Sequence, residues 1–196
     1  MAVATTIKGF DLSEGEDTLA ARFASGEARA LEEVIALYRE RVARLAHRLL
    51  RWNGDADDVV QDVFLDALLG ARRFRADASL WTWLSKITVN RCRRRARRAA
   101  VRERFLQFLR RSPQIAGPSA DAAGIADERC IAVRHAIASL PRAEREAVVL
   151  FYLEDRSIDE SSKILSAAPN AVAVRLHRAR AKLAVSLGPL ITQDIK

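Results

Sequence analysis

Cysteine, proline and glycine are scarce in this chain, at 2, 5 and 8 of 196 residues. Cys92 and Cys130 lack CxxC spacing and a secretory context, which excludes a disulfide framework and points to a reducing compartment, the cytoplasm by default. The longest unbroken apolar run, Ala147 to Leu153, is far below the ~18 residues that cross a bilayer. Met1 to Asp17 shows no basic stretch followed by an apolar one, so neither export nor membrane insertion is expected. Catalytic signatures are also missing: GxxxxGK[ST], GxSxG and HExxH do not occur, and His47, His135 and His177 are scattered. Apolar residues make up 49% and charged residues 30%, enough to bury a core rather than stay disordered.

The net charge of +8 is unevenly placed. Between Arg91 and Arg111 ten arginines stand against Glu103 alone, a local +9; the other 23 basic and 24 acidic residues sum to −1. A basic stripe on an otherwise neutral chain is the footprint of a polyanion binder, because each neutralised phosphate releases counterions. A solvated or membrane-surface basic face is the alternative reading.

Hydrophobic spacing predicts an all-α chain of two small helical domains joined by a flexible linker. From Ala28 to Leu50 apolar residues recur at three- and four-residue steps. Asn53-Gly54 breaks the pattern, and Asp55 is read as N-cap of a second helix bearing Val59, Val60, Val63, Phe64, Ala67 and Leu68, ended by Gly70. After the polar loop Arg72–Asp77, Ser79 caps a third helix with Leu80, Trp83, Leu84 and Ile87 inward, running into the arginines. Residues 1–18 are read as a tail and 19–111 as the first domain. Pro113, Gly117, Pro118 and Gly124 mark a linker over 112–126. The second domain, 127–188, holds helices at 127–139 and 142–153, a short helix from the capping box Ser157-Ile158-Asp159-Glu160, the turn Ser166-Ala167-Ala168, and a last helix from Pro169 to Gly188-Pro189. Residues 189–196 are a second tail. Short helix, tight turn and long helix form a helix-turn-helix, though an ordinary helical hairpin has the same pattern.

Three constellations carry the functional reading. In a helix-turn-helix the start of the last helix enters the major groove, which assigns Asn170, Ala173, Val174 and Arg175 to the groove and Arg178 to phosphate. Asp58, Asp62 and Asp66 stack at i, i+4 on the second helix and repel by roughly 0.2 to 0.5 kcal/mol per pair, so a basic partner is expected; a metal is the alternative, without the calcium-loop Gly and Glu or a nearby histidine. Phe74, Trp81 and Trp83 precede Lys86, Asn90, Arg93 and Arg97, a combination suited to stacking unpaired bases beside held phosphates. Trp83 is assigned to the core; Trp81 is placed on another side as the stacking residue.

Four stretches taken in order, Asp55-Ala-Asp-Asp-Val-Val-Gln-Asp-Val-Phe64, Leu80-Trp-Thr-Trp-Leu-Ser-Lys-Ile-Thr-Val-Asn90, Leu140-Pro-Arg-Ala-Glu-Arg145 and Val174-Arg-Leu-His-Arg-Ala-Arg180, resemble the extracytoplasmic-function (ECF) sigma factors of bacterial RNA polymerase. The likeness covers about residues 19–98 and 130–187. It implies a transcription initiation factor rather than an enzyme, needing no cofactor or metal. Its partners would be the polymerase core, promoter DNA as duplex and as single-stranded non-template strand, and an anti-sigma factor; a role in stress response is also implied. By the same resemblance, Asp55, Asp58, Gln61, Asp62 and Asp66 meet the core polymerase. Phe74, Arg75, Trp81, Lys86, Asn90, Arg93, Arg94 and Arg97 take the minus-ten element with an extruded base. The helix-turn-helix reads the minus-thirty-five element, and the linker threads the core's channel. Departures are Ser161-Ser162 where the family has Ile-Ala, which weakens packing, and Ala171, Ala173 and Val174 for Thr, Lys and Ser, which leaves an apolar groove face suited to thymine methyls. Trp81 and Ser85 stand where the family often has Arg and Tyr.

Two other classes compete with this reading. A helix-turn-helix repressor or activator accounts only for the C-terminal domain. A metal-dependent nuclease would use the Asp55–Asp66 carboxylates, but a second ligand cluster is missing.

Overall fold

The computed structural model describes residues 12–52, 56–74, 78–109 and 128–192. Eight helices occur among them and no strand: α1 (Leu12–Ala24), α2 (Ala28–Leu49), α3 (Asp57–Gly70), a 3₁₀ turn (Ala71–Arg73), α4 (Leu80–Leu109), α5 (Glu128–Ser139), α6 (Arg142–Val148) continued by a π-helical turn (Val149–Leu153), α7 (Ile158–Leu165) and α8 (Pro169–Thr192). The sequence-based bounds of α2, α3, α5 and α7 agree closely, and the helix read over 142–153 is α6 with its π turn. The proposed cap Asp55, the loop residue Arg75 and the linker 112–126 lie outside the described residues.

The N-terminal unit packs α2, α3 and α4 on one another, with α1 across α2 and the 3₁₀ turn. Val34, Val42, Leu45, Val63 and Leu84 are fully buried, each contributing about 1.5–3 kcal/mol by removal from water. α1 begins at Leu12, inside the stretch read as tail, and buries Leu19, Ala20 and Phe23 in the first domain. Gly26, at φ +83, makes the turn into α2 in a backbone region where a Cβ is strained. Beyond α2 the left-handed pair Arg51 and Trp52 ends the helix before the Asn53-Gly54 signal. Ser79 does cap α4, its hydroxyl accepting the Thr82 amide at 3.2 Å.

In the C-terminal unit α8 packs on α5, α6 and α7. The expected capping box is complete: Glu160 N donates to Ser157 Oγ at 3.1 Å and Ser157 N to the Glu160 carboxylate at 2.9 Å. Ser166 takes the left-handed conformation (φ 53) that closes α7 and turns the chain into α8. Arg145 is buried and donates to the carbonyls of Leu140 (2.9 Å) and Ala138 (3.4 Å), capping α5 from the next helix. Gly188-Pro189 does not stop α8, which continues to Thr192. Proline there removes one backbone donor at a helix end where Val185 is 81% exposed, so water can serve the freed carbonyl.

The chain is all-α in two helical units, as expected, and the two touch: α4 packs against α7, α2 meets the π turn, and the buried apolar residues form one continuous core.

Candidate functional site

From Leu80 to Arg95 helix α4 is committed on three sides and open on one; residues 96–105 are exposed all round. Toward α3, Arg91 donates twice to Asp66 and once to Asp62 (3.1 Å), and Arg95 reaches Asp58 at 3.2 Å. The Asp66 hydrogen bonds hold the Arg91 pKa above its ordinary value against the opposing effect of burial. The stacked carboxylates thus have their cations inside the molecule, which corrects the expectation that only an external partner would supply them. Positions 91 and 95 are one helical turn apart, so both guanidiniums fall on the α3 side. The exposed Arg95–Asp58 pair contributes at most about 1 kcal/mol. The half-buried Arg91 cluster carries more weight, because charge-assisted bonds away from water are roughly twice as strong as neutral ones.

Toward α2 lies a second correction. Trp81 is not a surface residue: it is 2% exposed, stacked on Tyr38 (centroids 6.0 Å, planes 9° apart) beneath the Arg41 guanidinium at 4.1 Å. Phe74 is also buried, at 6.5 Å from Phe23 and 5.5 Å from Trp83. Trp83 belongs to the core as expected, edge-on to Phe23 at 5.7 Å. Phe74 and Trp81 are therefore not presented to a base in this conformation. The physical reason is α1, whose Phe23 supplies the apolar partner for Phe74 and Trp83, together with the flat Tyr38 face on α2.

Toward the C-terminal unit, Arg93 makes a two-pronged bond to Glu146 (Nε–Oε1 3.0 Å, Nη2–Oε2 2.7 Å), and the Glu146 hydrogen bond raises its pKa despite burial. The remaining side is exposed and carries Lys86, Asn90, Arg94 and Arg97. At 100° per residue, Lys86, Asn90 and Arg97 fall within about 40° of one another, a single cationic strip along the rod. Arg93, expected on that strip, sits at its edge and is held by Glu146.

On α8, Val172, Leu176 and Ala179 face the core, which leaves Asn170, Val174 and Arg178 exposed one turn apart; Ala173 and Arg175 are half-buried beside them. All five positions expected to meet groove and phosphate thus lie near the start of α8. Later cations are not free: Arg180 donates to Tyr152 Oη at 2.6 Å and Lys182 to both Glu144 oxygens at 2.8 Å. On α3, Gln61 is exposed beside Leu65, Leu68 and Leu69, the last 74% exposed, an apolar strip outside the paired acids. The inter-unit contacts Arg48–Glu154 (2.7 Å) and Arg41–Glu154 (3.8 Å) were also missed, since nothing local marks partners separated by a hundred residues. Among the described residues, no group of three or more side chains is gathered as metal ligands.

The fold and its open cationic faces define a helical, bipartite nucleic-acid-binding protein. Residues 34–102 match the family model for Sigma-70 region 2, and residues 130–183 that for Sigma-70, region 4. The chain is 35% identical over 179 residues to the ECF RNA polymerase sigma factor SigM of Mycobacterium tuberculosis, covering 89% of this chain and 85% of that one. Among solved structures, CnrH in complex with the cytosolic domain of CnrY is 30% identical with a TM-score of 0.63, covering 89% of this chain and 97% of CnrH. The sigma factor RpoE of Bartonella quintana, solved with the anti-sigma factor NepR, shares the fold at 22% identity (TM-score 0.65, 80% and 96% covered). The chain belongs to the ECF sigma factors, the promoter-directing initiation factors of bacterial RNA polymerase.

Proposed function

We propose that within this family role the work is divided among three surfaces. Lys86, Asn90, Arg94 and Arg97, joined by Arg93 once it leaves Glu146, hold the phosphates of the non-template strand at the minus-ten element. Asn170, Val174 and Arg178, flanked by Ala173 and Arg175, enter the major groove at the minus-thirty-five element; the apolar pair favours thymine methyls. The outer side of α3, with Gln61, Leu65, Leu68 and Leu69 beside the outer carboxylate oxygens of Asp58, Asp62 and Asp66, docks on core polymerase. Arg75 extends the first of these surfaces in sequence and Asp55 the third. The chain itself is not an enzyme, since phosphodiester chemistry belongs to the polymerase, and it acts in the cytoplasm where the polymerase is. An anti-sigma factor regulates it, as the partners of RpoE and CnrH suggest by analogy.

The observation that supports this reading best is the solvent-open strip Lys86–Asn90–Arg94–Arg97 on a helix that is buried on three sides as far as Arg95. The test is reconstitution: purified chain with bacterial core polymerase should start transcripts at discrete promoters. Absence of core binding at low salt overturns the assignment, and DNA cleavage with magnesium alone would support the nuclease instead.

A further inference from the structure

We propose that Phe105, with Val101 one turn before it, is the base-stacking site of the α4 strip, and that it takes an unpaired base of the same strand whose phosphates meet Arg94, Arg97 and Arg98. The proposal deepens the reading of α4 as the strand-binding helix and rests on it.

Four observations carry it. The aromatic residues nearest the strip in sequence are spent elsewhere: Trp81 is stacked on Tyr38 inside the fold, and Phe74 lies against Phe23 and Trp83. The cations at Lys86, Arg94 and Arg97 would therefore hold a backbone with no ring beside them to receive a base. Phe105 is 61% exposed and Val101 67%, both on the stretch of α4 that is exposed all round. Among the described residues the exposed aromatic side chains are Phe105 and Tyr152, and Tyr152 already lies under Arg180.

Helical register puts the pair on the strip. At 100° per residue and with Arg94 as reference, Lys86, Asn90 and Arg97 lie about 80°, 40° and 60° to one side; Val101 lies about 20° to that side and Phe105 about 20° to the other. Phe105 stands about 12 Å along the axis from Arg97, so one strand running along the rod passes from guanidiniums to ring. Charge then selects the occupant. Arg97, Arg98, Arg102 and Arg104 frame the pair, exposed and without an acid partner among the described residues, while Glu103 stands about 160° round the helix from Phe105. A second copy of the chain would bring like charge to like. A single strand offers phosphates to the arginines and an open π-face to the phenyl ring, whereas paired bases keep their faces in the stack. Such stacking tolerates any base, so Phe105 adds affinity for the strand and leaves base identity to be read elsewhere.

The test uses the full chain assembled on bacterial core polymerase and reads its affinity for a fluorescent single-stranded oligodeoxynucleotide above that of core alone. Phe105→Ala should weaken binding at least about fivefold without changing the salt slope, because no charge is removed. Phe105→Trp should restore it. Phe105 is exposed, so neither variant disturbs the core. A strand of the same length built of abasic sites should bind Phe105→Ala and wild type equally. Arg94→Ala separates the proposal from the reading beneath it: weaker binding by Arg94→Ala with unchanged binding by Phe105→Ala overturns the stacking site alone, and unchanged binding by both overturns the strand-binding reading of α4 as well. A loss by Phe105→Ala that is as large on the abasic strand also overturns the stacking site. So does loss of core binding by Phe105→Ala, which would make the ring a polymerase contact. Sedimentation of the free chain with phosphatidylserine vesicles, abolished by Phe105→Ala while oligonucleotide binding is kept, would assign the ring to a lipid surface instead.

Discussion

The two cationic helices dispose of their charge in opposite ways along their lengths. On α4 the arginines alternate around the rod: Arg91, Arg93 and Arg95 are drawn to carboxylates of two other helices, α3 and α6, while Arg94 and Arg97 stay in solvent. On α8 the division runs end to end, with Asn170, Val174 and Arg178 open near the start and Arg180 and Lys182 held by Tyr152 and Glu144 farther on. A run of basic residues is thus no measure of the charge available to a polyanion. What counts is which side of the helix meets an acid, and neighbouring positions about 100° apart can have opposite fates.

The sharpest way to break the contrast is through the core that orients α4. Phe23→Ala should destabilise the N-terminal unit by about 3–5 kcal/mol, because it empties the site beneath Phe74 and Trp83. Denaturant unfolding checks this; a loss below about 1 kcal/mol would detach α1 from the unit. Next in size is the division between neighbouring arginines. Arg91→Ala should cost about 1–3 kcal/mol by leaving Asp62 and Asp66 facing each other without a cation. Arg94→Ala should change stability by under about 0.5 kcal/mol, yet weaken DNA binding similarly across sequences and flatten the salt slope by roughly one unit. Equal effects of the two on stability would dissolve the distinction between the sides of α4.

A smaller effect is expected at the helix-turn-helix. Ser157→Ala removes half of the capping box and should cost about 0.5–2 kcal/mol. Glu160 is held below its ordinary 4.5: burial acts against this, but the Ser157 bonds and Arg156 prevail. The stability it contributes is therefore present above pH 4.5 and lost as pH falls through the lowered value, so Ser157→Ala should flatten the acid limb of the stability curve. The smallest effect separates the cysteines. Cys92 is buried, its thiol pushed up to about 12 by desolvation, whereas Cys130 is exposed on α5. A thiol reagent at pH 8 should label Cys130 at once and Cys92 only on unfolding. Rapid labelling of both would show that the α2–α4 packing is loose.

Local chemistry was legible wherever partners are neighbours in sequence. The capping box at Ser157, the Ser79 cap and the core role of Trp83 follow from spacing and residue type. The bounds of α2 and α3 follow from where apolar periodicity stops. Trp81 defeated the same reasoning because two adjacent positions of a helix surrounded on three sides are both buried, and a two-sided pattern of apolar in and polar out does not apply there. Phe74 was misplaced because no helix was read before Ala28, although Leu19, Ala20 and Phe23 already have helical spacing. The arginine partners were hidden for a different reason. Arg93 and Glu146 are 53 residues apart, Arg48 and Glu154 106, and no periodicity reports an ion pair at such separations.

Sequence alone determined the helices, the recognition motif and the excess of positive charge, since those depend on side-chain period, caps and composition within a few turns. Only the tertiary structure decided which charges remain for a partner, because pairing depends on the acid that the fold brings within about 3 Å. It also decided that the two units meet, and that Glu146 rather than solvent faces Arg93. The chain dictates its cations one by one; the packing of α4 against α2, α3, α6 and α7 decides which of those up to Arg95 stay open.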